Sequence, residues 1–223
     1  MKINLYGLLM LFLFVSTSGA ETQQNWTFEE LKAGDLPENW EKMETNGKDA
    51  PAHWEVREDD TYTRSLNKNV LSITNNPNRG EMGNLLVTKV GVFKNIEVST
   101  KIKPGTIGKD AGGGLIWRII DNKHYYLAQW NATSNSLRLY VYINGKPSLL
   151  ESVSIEADPD TWHQMDVIHN EEEIEILFDN ESKIAVQDKQ LDFKGWIGLW
   201  AQGSALPSFD DVILYSPEDG ESE

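Results

Sequence analysis

The sequence predicts an all-β protein of the sandwich or barrel class, and three observations carry that prediction. Short segments of alternating apolar and polar residues fill almost the whole chain beyond residue 20, the pattern of half-buried strands. Turn residues such as Asp121-Asn122, Asn144-Gly145 and Asp179-Asn180 lie between consecutive segments, and residues that tolerate positive φ suit tight hairpins. No long amphipathic run marks a helix; 38–44 can form only a short helical turn, confined by Pro37 and Gly47.

Taken in order, the predicted strands are 53–58, 70–74, 85–90, 96–103, 114–120, 125–130, 137–143, 162–169, 174–178, 183–186, 196–201 and 209–215. Residues 1–20 precede them and carry the marks of a signal peptide. Lys2 is the basic start, 8–15 is apolar, and Ser18-Gly19-Ala20 supplies small residues for cleavage. The apolar stretch is shorter than the roughly 20 residues a membrane helix needs. The expectation is a secreted or periplasmic protein whose mature chain does not insert into a membrane. Residues 21–216 form one domain, and 217–223 form an acidic tail without apolar anchors.

The 223-residue chain has no cysteine, which excludes disulfides, thiol catalysis and cysteine-ligated zinc. Its formal charge of −15 works against nucleic acid as a partner. No His-x-x-x-His or His-x-His pair suggests a catalytic metal. Asn25-Trp26-Thr27, Asn131-Ala132-Thr133 and Asn180-Glu181-Ser182 match the glycosylation sequon, which matters only in a eukaryotic source.

Strand parity points to a site. Alternate residues of a strand emerge on opposite faces. Leu137, Leu139, Val141 and Ile143 therefore oppose Arg138, Tyr140 and Tyr142. In the same way Tyr126, Ala128 and Trp130 oppose Gln129, while Ile197, Leu199 and Ala201 oppose Trp200 and Gln202. With the first sets facing a partner sheet, Arg118, Gln129, Arg138, Tyr140, Trp200 and Gln202 share the other face. A sugar ring offers C–H patches that flat aromatics cover and hydroxyls that planar amide and guanidinium groups pair with. Trp200 and Tyr140 are the expected platforms, and Arg118, Gln129, Arg138 and Gln202 the hydrogen-bonding groups. The competing reading is an ordinary outer sheet face, since aromatics favour strands.

These segments resemble the concanavalin A-like lectin/glucanase superfamily, which is related to laminin-G-like modules. The likeness is carried by Trp26-Thr27-Phe28-Glu29-Glu30, by Gly34-Asp35-Leu36-Pro37-Glu38-Asn39-Trp40, and by Asp110-Ala111-Gly112-Gly113-Gly114-Leu115-Ile116-Trp117-Arg118. Trp162-His163 and the 195–203 segment add to it. Within that group the chain is most similar to the 3-keto-disaccharide hydrolase-like (family-16-like glycoside hydrolase) domains. The resemblance implies a two-sheet antiparallel jelly-roll sandwich that engages carbohydrate, an oligo- or polysaccharide, across its concave sheet. It also implies two alternatives, a glycoside hydrolase or lyase and an adhesion module.

Catalysis does not carry over by residue. Glucanases of this fold place Glu-x-Asp-x-x-Glu on one strand as nucleophile and acid/base, a spacing absent here. The subgroup tends to carry Gly-Leu-Gln-x-His-Gly where this chain has Gly198-Leu199-Trp200-Ala201-Gln202-Gly203, and Gln has no useful pKa for proton transfer. His124 is the one histidine beside the groove strands, and His163 follows core parity. Jelly rolls of this kind often hold a structural Ca²⁺ between the first and last strands. The resemblance assigns that role to Glu29 and Asp210, with Asp211 as a substitute, plus backbone carbonyls.

Overall fold

A computed structural model describes residues 22–47, 51–61, 68–80, 82–105 and 111–217. Residues 1–20, where a signal peptide is expected, Asp110, and residues 218–223 of the expected 217–223 tail lie outside the described residues. Fifteen strands occur among the described residues: β1 (Thr22–Trp26), β2 (Trp40–Thr45), β3 (His53–Glu58), β4 (Asn69–Asn75), β5 (Gly83–Thr88), β6 (Ile96–Lys103), β7 (Gly112–Asp121) and β8 (His124–Asn131). They continue with β9 (Ser136–Ile143), β10 (Lys146–Ser154), β11 (His163–Asn170), β12 (Glu173–Phe178), β13 (Glu181–Gln187), β14 (Trp196–Gln202) and β15 (Ser208–Ser216). No helix occurs among the described residues.

Two antiparallel sheets face each other in a jelly-roll sandwich. One runs β13-β12-β11-β6-β15-β4-β3, with β1 added on β15; the other runs β10-β9-β8-β7-β14-β5-β2. Alternation builds the core between them. Leu115, Trp117, Tyr126, Ala128, Trp130, Leu137, Leu139, Val141, Ile197 and Leu199 point inward from the seven-stranded sheet. Val98, Ile102, Met165, Val167, Ile174, Ile176, Phe209 and Leu214 meet them from the other. Burial of these side chains is the main stabilising force, roughly 1.5–3 kcal/mol for each large residue.

Three elements differ from the sequence expectation. Segment 38–44 is not a helical turn: Trp40–Thr45 pairs along β5, with Met43 opposite Leu85. The opening strand ends at Trp26, and Thr27 to Glu30 form the loop beyond it. Lys146–Ser154 is a strand with no sequence alternation, because it is an exposed edge whose register shifts between Leu149 and Glu151. Such bulges and polar edges limit unwanted pairing. The Asn144-Gly145 and Asp179-Asn180 turns take positive φ at both residues, the conformation that matches hairpin twist.

Candidate ligand pocket on the seven-stranded sheet

Antiparallel register arranges the outer face of the seven-stranded sheet in rows. One row crosses Arg138, Gln129, Gly114, Trp200 and Leu85. A second holds Ser136, Asn131 and Gly112, with Gln202 opposite Gly83 on the far side. Gly112 and Gly114 leave this face of β7 bare between β8 and β14. The Gln129 amide therefore reaches across, its Nε2 donating to Gln202 Oε1 at 2.8 Å. A Cβ at Gly114 would stand 1.9 Å from the Ala128 carbonyl oxygen, so this close approach requires glycine.

The face is not an open groove. A second apolar cluster of Leu85, Val87, Ile116, Ile119, Tyr125, Leu127, Tyr142 and Trp200 fills its middle. Trp200 is only 2% exposed, its indole pressed on Gly83, where a Cβ would fall 2.6 Å from Nε1. The end of β2 closes over this cluster. Thr45 Oγ1 donates to the Asn122 carbonyl at 2.7 Å and lies 2.7 Å from the Tyr125 hydroxyl. Asn122 Nδ2 donates to the Glu44 carbonyl at 2.7 Å, and Asn46 Nδ2 to the Gly145 carbonyl at 2.8 Å. Opposite regions of the sheet thus meet across its own outer face. Tyr125 stacks on Tyr142 at 4.5 Å, and burial raises its hydroxyl pKa well above the ordinary value, so it stays protonated.

What remains is a pocket of about 150 Å³ lined by Gln129, Arg138, Tyr140, Tyr142, Trp200 and Gln202, with Pro147 at its rim. Five of the six predicted binding residues therefore meet at one place. Tyr142 falls on the expected face. Pro147 is absent from the sequence reading, although the Asn144-Gly145 hairpin already sets it opposite Tyr142. Among the described residues, Arg138 is the one charged group of the lining, and no Asp, Glu or His lines this pocket.

Arg118 is the correction. It takes φ +49°, and the pairing of β7 with β8 shifts register between Trp117 and Asp121. A bulge residue in the left-handed region interrupts alternation, so counting by two fails beyond Trp117. The guanidinium is fully buried and donates to backbone carbonyls: Nε to Lys94 at 3.1 Å, one terminal nitrogen to Leu191 at 2.9 Å, the other to Glu171 at 2.9 Å. It ties three loops together. The predicted Trp200 platform is likewise corrected to a buried floor.

Three histidines are held by packing and hydrogen bonds. His124 Nδ1 contacts Asp121 at 2.9 Å and its Nε2 accepts from the Asn144 N–H at 3.2 Å, so both ring nitrogens are committed to hairpin turns. His163 packs against Trp130 and Phe178. Fully buried His169 accepts from Trp117 Nε1 at 2.8 Å, and burial, reinforced by Arg118, lowers its pKa to about 3. Beside it the Tyr126 hydroxyl donates to Asp188, and burial followed by that carboxylate raises the Tyr126 pKa.

For the calcium candidates, Glu29 Oε1 is buried without a hydrogen-bond partner, an acceptor that a cation would satisfy. Asp210 is fully buried, and Asp211 is engaged by Lys101 Nζ at 2.9 Å. No three His, Asp or Glu side chains converge among the described residues. Glu29 and Asp210 fit a cation only where backbone carbonyls complete the shell.

No family model matches the chain, and no curated protein matches it. Solved structures do. A carbohydrate-binding module, CBM66, from Bacillus subtilis aligns with a TM-score of 0.61 and 17% identity, over 80% of this chain and 96% of that one. A Bacteroides ovatus mixed-linkage glucan family-16 enzyme gives 0.63 and 11%, over 86% and 99%. The catalytic domain of a Thermotoga petrophila endo-1,3-β-glucanase (laminarinase) gives 0.54 and 12%, over 90% and 100%. The chain has the concanavalin A-like jelly-roll fold that these structures share.

Proposed function

We propose that this chain is an exported carbohydrate-binding domain that takes one sugar residue of a glycan into the pocket and does not cleave it. The observation that carries this is the pocket's composition: Tyr140 and Tyr142 supply ring surface, while Gln129, Gln202 and Arg138 supply polar groups. Pockets that recognise small molecules mix aromatic surface with a few placed polar groups. The volume of about 150 Å³ is well below the ~300–1,000 Å³ of drug-sized sites, which suits a single ring. The Thr45–Asn122 closure favours a chain end over a chain threaded across the sheet. Among the described residues of the lining, no carboxylate or imidazole is present to serve in the acid/base pair of glycoside hydrolysis. Similarity to a carbohydrate-binding module and to glucanases supports the substrate class. Residues 1–20 support export. A structural Ca²⁺ held by Glu29 and Asp210 belongs to the same proposal.

Calorimetric titration with a broad glycan panel tests it. Binding should fall at least about tenfold in Tyr140→Ala, the loss of one aromatic contact of roughly 1.5 kcal/mol. Tyr140 is half-buried at the pocket wall, so the fold should survive. No binding across the panel, or equal binding by the variant, would refute the proposal.

A further inference from the structure

We infer that the pocket selects a sugar bearing a carboxylate, with Arg138 as its counter-charge; this rests on the carbohydrate reading above. Arg138 is the only charged side chain among the described residues of the lining. Across the sheet its register partners are Gln129 and Ser152, and along its own strand this face presents Ser136 and Tyr140. All four are neutral.

Arg138 stands apart from the other described arginines. The chain has 35 acidic side chains against 20 basic ones, and several cations find an acid. Lys68, Lys89, Lys94, Lys101, Lys183 and Lys189 all do. The other described arginines are also engaged. Arg57 donates to Ser72 and Ser208, Arg79 to backbone carbonyls, and Arg118 to the three carbonyls above. Arg138 alone among the described arginines has no hydrogen-bond or ion-pair partner. It is half-buried at the wall of a small pocket, where an ion pair is screened less than on an open surface.

A guanidinium presents planar paired donors that match a carboxylate by two parallel hydrogen bonds. The ligand that completes this site is therefore a uronic acid ring. Its carboxylate would lie on Arg138, its hydroxyls near the Gln129–Gln202 pair, and its C–H face against Tyr140. The net charge of −15 repels long polyanions. The acidic ring thus belongs at the end of an otherwise neutral glycan rather than within a polyuronate.

The test titrates the intact protein with four oligosaccharides sharing one neutral backbone. Their terminal residue is a uronic acid, its methyl ester, the neutral hexose, or the hexose 6-sulfate. The uronate should bind about tenfold to a hundredfold more tightly than its ester, the range for a charge-assisted hydrogen bond. Arg138→Gln should erase that difference, with its thermal unfolding midpoint checked against the parent. Equal binding of uronate and ester by the unaltered protein overturns the inference but leaves sugar binding intact. Binding of the sulfate without the uronate overturns the assignment to a carboxylate. Failure of every glycan on the broad panel removes both proposals.

Discussion

Lowering the pH from 7 to 5 should destabilise the fold through one imidazole. His169 is fully buried, accepts from Trp117 Nε1 and packs edge-on to Tyr126 at 5.3 Å. Burial first, and the Arg118 charge second, lower its pKa from 6.5 to about 3. The unfolded chain takes up a proton near 6.5 while the native state stays neutral. Stability from this group is therefore complete above the unfolded pKa and is lost as pH falls toward about 3. The slope is about 1.4 kcal/mol per pH unit once the unfolded imidazole is charged, which gives a loss of about 2 kcal/mol between pH 7 and 5. Carboxylates with lowered pKa, such as Asp59 and Asp121, lose their contributions at lower pH. Asp166, whose pKa burial raises, works in the opposite sense. Urea unfolding followed by tryptophan fluorescence, at both pH values, measures the effect. His169→Asn keeps an acceptor for Trp117 but does not titrate, so the parent should lose about 2 kcal/mol more than the variant. Equal losses in the two proteins would refute the argument.

Arg118→Ala strips donors from the buried carbonyls of Lys94, Glu171 and Leu191 and should cost about 3 kcal/mol or more in urea unfolding. Glycan affinity of the protein that remains folded should not change; a fall in affinity with unchanged stability would return Arg118 to the binding site. Calcium added to chelator-treated protein should raise the unfolding midpoint, by the equivalent of about 4 kcal/mol at a thousandfold excess over Kd. Glu29→Gln should abolish the rise, and an unmoved midpoint in the parent would remove calcium from the proposal.

Parity alone carries a long way in this chain. Alternation in 125–130, 137–143 and 196–201 separates the inward Tyr126, Leu139 and Leu199 from the outward Gln129, Arg138 and Gln202, because the side-chain period of a strand is two. It cannot register an inserted residue. The left-handed Arg118 sends its guanidinium into a cage of carbonyls, since a bulge breaks the count without changing the composition. Edge strands evade the same logic: Lys146–Ser154 and Trp40–Thr45 need no strict alternation, as part of their surface has no core to face.

The sequence by itself determined a two-faced, all-β chain with a row of polar and aromatic residues on one strand parity, because those properties are local and repeat every second residue. Only the tertiary structure decided that the row ends in a small pocket. The bulge in β7, the bare glycine track and the β2 closure bring together residues as distant as Thr45 and Tyr125. Such contacts depend on sheet order and curvature, which no single strand encodes.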